Sequence, residues 1–119
     1  EAFVEVRGHT DNQPVAPNAL FRDNRDLSYF RAYAVVDYLV NVSGVPASQF
    51  EVHALGEYQP LTGNETEAGR ASNRRVELFV RGPVDQSRIE PFIKRIEAEF
   101  GVEARTSLPL TPRSTEALR

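Results

Sequence analysis

Three short stretches of this chain alternate apolar and polar side chains, and the segment between the first two is apolar at helical spacing. Residues 3–9 put Val4, Val6 and Gly8 on one face and Glu5, Arg7 and His9 on the other. Residues 50–55, FEVHAL, alternate again, and residues 75–81, RVELFVR, aim Val76, Leu78 and Val80 one way. A period of two is the mark of a half-buried strand. Two strands joined through a helix predict a parallel pair with a right-handed crossover. The expected fold class is therefore α+β, a two-layer sandwich with a small mixed β-sheet and helices on one face.

The first helix is expected over about 27–42. Asp26 is a candidate N-cap, Leu27, Ala34, Val35, Tyr38, Leu39 and Val42 form the apolar stripe, and Gly44 and Pro46 supply stop signals. A second helix is expected over about 86–100, with Ile89, Phe92, Ile93, Ile96 and Phe100 as its stripe and Gly101 as its cap. Pro91 restricts how early that helix can start. Residues 10–25 and 56–73 read as long polar loops, and loops of that length in a compact domain are often functional. Residues 102–119 hold two prolines and several Ser and Thr, and are expected to be a disordered tail. The expected organisation is a core over 1–82, a C-terminal helix over 83–101 and the tail over 102–119. The outward sheet face carries Glu5, Arg7, His9, Glu51, His53, Glu77 and Arg81, together with Phe3, Leu55 and Phe79. It is expected to be mostly solvated, with enough apolar area for a partner.

Composition removes several functions. The chain has no cysteine, which excludes a disulfide scaffold, a zinc–cysteine site and a thiol nucleophile. Its formal net charge of -3 makes it a poor general binder of nucleic acid, which needs a basic face. No apolar run approaches the roughly 20 residues that cross a bilayer. The chain opens on Glu-Ala with no initiator Met, so it is expected to be a piece of a longer protein.

Catalytic constellations are missing. His9 and His53 share the outward parity and, with Asp11 or Glu57, could be imagined around a metal, but no HxH or HExxH spacing supports one. No serine lies in a G-x-S-x-G elbow, and no nucleophile has an obvious base. The expectation is a protein without enzymatic activity, metal or cofactor, a metal-dependent hydrolase on His9 and His53 being the remote alternative.

Charged groups nevertheless converge. Asp11 follows the first strand, Arg31 lies one turn beyond Leu27 in the first helix, and Asn73, Arg74 and Arg75 open the last strand. By parity Arg74 points to the helix side with Val76. A carboxylate and a guanidinium, each with a free side, suit a zwitterionic ligand: the acid takes an ammonium and the arginine takes a carboxylate. The same two residues could instead pair with each other and pin the loop, and residue types alone leave both readings open.

The order of motifs adds a resemblance. GHTD at Gly8–Asp11 is followed by N-x-x-L-S-x-x-R-A at Asn24, Leu27, Ser28, Arg31 and Ala32, then V-x-x-Y-L at Val35–Leu39 and G-V-P at Gly44–Pro46. G-E-x-x-P-L at Gly56–Leu61 and G-R-A-x-N-R-R-V-E at Gly69–Glu77 complete the series. From Phe3 to about Val80 the chain resembles the OmpA-like peptidoglycan-binding domains, the family that includes OmpA, Pal and the stator protein MotB. The twenty positions from Asp11 to Arg31 are more like the longer loop of MotB-type members, as is a helix after the last strand.

The resemblance implies a β-α-β-α-β-β fold whose first strand and helix would lie before Phe3. It implies a non-catalytic module that grips the diaminopimelate of the peptidoglycan stem peptide, with Asp11 on the ammonium, Arg31 on the carboxylate and Asn24 beside them. Thr10, Leu27, Asn73 and Arg74 match motif positions that shape or line the pocket. Peptidoglycan is then the partner, nucleic acid is not, and the setting is the periplasm of a Gram-negative cell. The parent protein would be membrane-tethered, a stator-type or envelope-scaffold anchor, and stator-type members imply a homodimer. The alternative is a protein-interaction or dimerisation module of the same fold without affinity for the wall.

Overall fold

The computed structural model describes residues 3–82 and 84–107. In chain order the elements are β1 (Val4–His9), α1 (Asn24–Ser43), β2 (Phe50–Gly56), α2 (Glu67–Asn73), β3 (Arg75–Val80), α3 (Ile93–Phe100) and β4 (Glu103–Ser107). Single 3-10 turns lie at Ala47–Gln49, Gln86–Arg88 and Glu90–Phe92. The sheet runs β2-β1-β3-β4. β1 is parallel to β2, as a strand joined through a helix requires, and antiparallel to β3, while β3 and β4 are parallel.

Register puts Val4 against Val80, Val6 against Leu78 and Gly8 against Val76, so one face of the sheet is apolar across three strands. With Ala32, Val35 and Leu39 of α1, Ile89, Ile96 and Ala104, that face forms a single core cluster. Residues expected to form a separate C-terminal helix therefore share the core of 1–82. Tyr38 joins α1 edge-on to the C-terminal helical segment, its ring 6.3 Å from Phe92 and 6.2 Å from Phe100.

Five sequence expectations change. α1 begins at Asn24, because Asp23 rather than Asp26 is the cap: its carboxylate accepts the Asp26 N–H at 2.8 Å. Asp26 instead accepts the N–H of Arg22. The buried stripe of α1 is Asn24, Ser28, Ala32, Val35, Val36 and Leu39, rotated from the expected one, with Val42 exposed. Apolar residues surround this helix, and polar Asn24 and Ser28 point inward for hydrogen bonds, so periodicity could not orient it. The expected loop 56–73 contains α2, capped by Thr66, whose hydroxyl accepts the Gly69 N–H at 3.0 Å. The expected disordered tail contributes β4, with Ala104 in the core; a segment whose only apolar residue is Ala104 shows no alternation. The remainder of that tail, 108–119, lies outside the described residues. The second helix matches its expected end at Gly101, but Pro91 sits in a 3-10 turn and regular α-helix begins at Ile93.

The outward sheet face also differs from expectation. It is a lattice of charges, and of its expected apolar residues Phe79 is covered while Phe3 and Leu55 are half-buried. Phe79 is 7% exposed and lies under the Arg7 guanidinium, 4.4 Å from the ring centroid. Among the described residues, exposed aromatic surface lies instead on α1, where Tyr29 and Tyr33 stack with centroids 6.0 Å apart and Phe30 packs against Phe21, and at Tyr58 after β2.

Candidate functional site

Three elements deliver charge to one end of the sheet. β1 ends at His9 and carries Thr10 and Asp11 beyond it, α1 supplies Arg31 from its second turn, and Arg74 follows the last residue of α2. The close approach of α1 to β1 depends on Gly8: a Cβ there would lie 2.2 Å from the Ser28 carbonyl oxygen. Ser28 in turn donates to the Arg25 carbonyl and accepts the Gly56 N–H at 2.9 Å, locking α1 to the end of β2. The glycine and serine of the sequence motifs thus set the spacing at which Arg31 meets the strand ends.

Asp11 is 8% exposed. Its Oδ2 accepts from Arg74 Nη1 at 2.7 Å and its Oδ1 from the Gln13 N–H at 3.0 Å. Arg74 Nη2 donates to Glu67 at 2.6 Å, so one guanidinium spans two carboxylates. That double contact, with Glu67 first and Asp11 second, raises the Arg74 pKa, and Arg74 draws the Glu67 carboxyl below its usual range.

Arg31 behaves differently. Its Nη1 is buried and has no hydrogen-bond partner. Burial is the main cause that lowers its pKa, the positive charge of Arg74 is the second, and Asp11 partly offsets both. Guanidinium remains charged under any ordinary condition. The ion pair that Asp11 makes is thus with Arg74, while Arg31 stands within electrostatic reach of both, holding a desolvated donor with nothing to donate to.

The remaining sequence-predicted residues build the frame. Thr10 pairs its N–H with the Gly56 carbonyl at 2.9 Å and turns its hydroxyl to the Asp11 carbonyl at 2.8 Å. Asn24 Nδ2 points at three acceptors, the carbonyls of Asp11 and Gln13 and the carboxylate of Glu57. Asn73 is fully buried; it accepts the N–H groups of Leu61 and Thr62 and donates to the Thr62 carbonyl and to Asn64. Asn64 also accepts the Asn12 N–H, which links the two long loops over the site. Leu27 is half-buried in the first turn of α1, one turn before Arg31. The sequence reading missed Glu67, Gln13 and Asn64, and considered Glu57 only as a conceivable metal ligand beside the histidines. Thr66 followed by Glu67 and a short helix-compatible run was the available signal for Glu67.

Below the site, His9 is 1% exposed and its Nε2 lies 3.0 Å from Glu77. Arg75 holds the other Glu77 oxygen at 2.9 Å and reaches the Gln59 carbonyl at 3.0 Å. The His9 contact first and Arg75 next hold the Glu77 carboxyl down at about 2, against the cost of burial. His53, by contrast, faces Glu5 and Glu51 on the opposite flank of β1. The two histidines serve different carboxylates, which removes the paired-histidine arrangement considered for a hydrolase.

Comparison with known proteins matches residues 1–74 to the OmpA family. Motility protein B of Bacillus subtilis is 39% identical over 77 residues, which cover 65% of this chain and 29% of that protein. Peptidoglycan-binding protein ArfA of Mycobacterium tuberculosis is 40% identical over 80 residues, 67% of this chain and 23% of its own length. The chain thus spans under a third of these relatives. The crystal structure of the C-terminal domain of Helicobacter pylori MotB superposes with a TM-score of 0.62 at 28% identity, covering 82% of this chain and 71% of that one. With a family match over more than half its length and a sheet and helix arrangement shared with MotB C-terminal domains, this chain belongs to the OmpA family.

Proposed function

We propose that this domain is a non-catalytic peptidoglycan-binding module that anchors a longer, membrane-tethered protein to the wall from the periplasm. The ligand group is the amino-acid zwitterion of diaminopimelate in the stem peptide. The observation that carries this reading is the buried, unpartnered Nη1 of Arg31 beside the carboxylate of Asp11. A desolvated guanidinium donor without an acceptor is costly unless a carboxylate arrives to accept from it. Asp11 has two hydrogen bonds from Gln13 and Arg74 on its two oxygens and retains lone pairs for an ammonium. Thr10, Asn24 and Asn73 hold the two loops that frame the opening, and Arg74, tethered by Glu67, steadies Asp11. The relatives named for motility and for peptidoglycan binding support the same reading at the level of the family.

Sedimentation with diaminopimelate-type sacculi tests it. The wild-type chain pellets with the wall, while Asp11→Ala and Arg31→Ala stay in the supernatant with melting temperatures that show a folded domain. Equal pelleting of all three proteins, or no pelleting of wild type, removes the assignment. A second reading, an interaction or dimerisation module, draws on the exposed Tyr29, Phe30 and Tyr33 of α1. Sedimentation equilibrium on the same samples addresses it.

A further inference from the structure

The outward face of β1 and β2 holds a second cluster that the peptide site does not use. Parallel pairing sets Glu5 directly opposite Glu51 and Arg7 opposite His53. Glu51 and His53, two apart on one strand, point to the same face as Glu5. His53 Nε2 lies 2.9 Å from Glu51 and Nδ1 lies 3.5 Å from Glu5. One donor atom from each of the three side chains lies within 4.8 Å of the other two. We propose that Glu5, Glu51 and His53 form a binding site for one divalent transition-metal ion of the zinc class.

Three features support it. Like charges directly opposite on neighbouring strands are unfavourable unless a cation lies between them. Glu5 is also 8% exposed, so one of those carboxylates has lost most of its water. Next, the imidazole of His53 lies between the two carboxylates, so a ring nitrogen and an oxygen of each glutamate converge on one small volume. A metal ion placed there supplies positive charge to both carboxylates from a single point. Finally, one imidazole and two carboxylates are a common donor set for zinc, whose ligand atoms stand about 3.4 Å apart around a tetrahedral ion, leaving one position for water. The parallel ladder fixes the backbones of β1 and β2, so closing the donors from within 4.8 Å to that spacing falls to side-chain rotation.

Arg7 is the competing cation. Its Nε donates to Glu5 Oε2, the same oxygen that His53 Nδ1 faces, and its guanidinium also rests on the ring of Phe79. The ion therefore takes Oε1 of Glu5, while Arg7 keeps Oε2 and its place on Phe79. The ion ties β1 to β2, the strand at the edge of the sheet. The cluster was invisible to motif spacing because its ligands come from two strands, and only the parallel register brings Glu5 to the Glu51-x-His53 pair.

Calorimetric titration of the 119-residue chain with zinc chloride, in a non-chelating buffer at pH 7.5, tests the site without reference to peptidoglycan. The expected result is one ion per chain with a dissociation constant below about 100 μM, and a melting temperature raised by several degrees at saturating zinc. Magnesium leaves it unchanged. Glu51→Gln and His53→Gln lie on the open face and keep the fold; each weakens zinc binding at least tenfold, whereas His9→Gln leaves it within twofold. No stoichiometric binding by wild type, or binding by Glu51→Gln and His53→Gln as tight as wild type, overturns the proposal.

Discussion

Two charged regions adjoin β1, and they are built in opposite ways. On the outward sheet face Glu77 is held on one oxygen by His9 and on the other by Arg75, and Arg75 is strapped to the Gln59 carbonyl. At the strand end, half-buried Arg31 holds a buried, unpartnered Nη1. A satisfied lattice contributes to folding and holds backbone in place. A desolvated donor left without an acceptor contributes little to folding and is available to a ligand. The two regions are therefore expected to respond oppositely to mutation.

The largest effect belongs to the lattice. Arg75→Leu removes one partner of Glu77 and leaves a half-buried carboxylate and the Gln59 carbonyl without their cation. Urea unfolding is expected to show a loss of about 3 kcal/mol. A loss under about 1 kcal/mol would show that the lattice is ornamental and break the comparison at its first step. Asn73→Ala comes next, at about 2 kcal/mol, because a fully buried amide with four hydrogen bonds leaves N–H groups of Leu61 and Thr62 unpaired. Sacculus binding by that variant is expected to weaken as well, since the Asn73–Asn64–Asn12 chain holds the loops over the site.

Acid sharpens the same contrast. The Glu77 carboxyl is held at about 2 in the fold, against an ordinary 4.5. A depressed carboxyl stabilises the folded state fully above the unfolded value, and that contribution disappears as pH falls from about 4.5 through about 2. Discounted for partial solvent access, the loss is on the order of 2 kcal/mol. Urea midpoints measured between pH 5 and pH 2 for wild type and Glu77→Gln are expected to converge at the acid end. Parallel curves would place the acid sensitivity in another group.

The sheet was legible in the sequence and its periphery was not. β1, β2 and β3 carry enough Val, Leu and Phe at a period of two to declare themselves, and a helix between β1 and β2 forces their parallel pairing. β4 carries only Ala104, and its pairing is dictated by the open edge of β3 rather than by its own side chains. α1 was found but turned on its axis, since Tyr29, Phe30 and Tyr33 face water while Asn24 and Ser28 face the sheet. Asp11 and Arg74 were picked out because they sit where elements end or begin, and Arg31 because it lies one turn beyond Leu27 in the first helix. Which of them pair with which was beyond the sequence. That outcome depends on Glu67, placed by a seven-residue helix whose only sequence mark is the Thr66 cap. Asp11 therefore meets Arg74, and Arg31 is left as the free member.

The smallest stability effect is expected at the residue that matters most for binding. Asp11→Asn keeps an acceptor for the Gln13 N–H and loses the charge that meets Arg74, a partly exposed pair, so it costs about 1 kcal/mol. Arg31→Met keeps the aliphatic stem against its neighbours and removes a guanidinium whose burial Asp11 only partly offsets and whose charge opposes that of Arg74. Removing such a group relieves both penalties, so the melting temperature is expected to hold or rise, with a change within about 0.5 kcal/mol or a gain of up to about 1 kcal/mol. Wall binding by the same variant is expected to vanish, because methionine offers a carboxylate no donor. A clear drop in stability for Arg31→Met would mean that the guanidinium is supporting the fold, and the two regions would then be one kind of charge network rather than two.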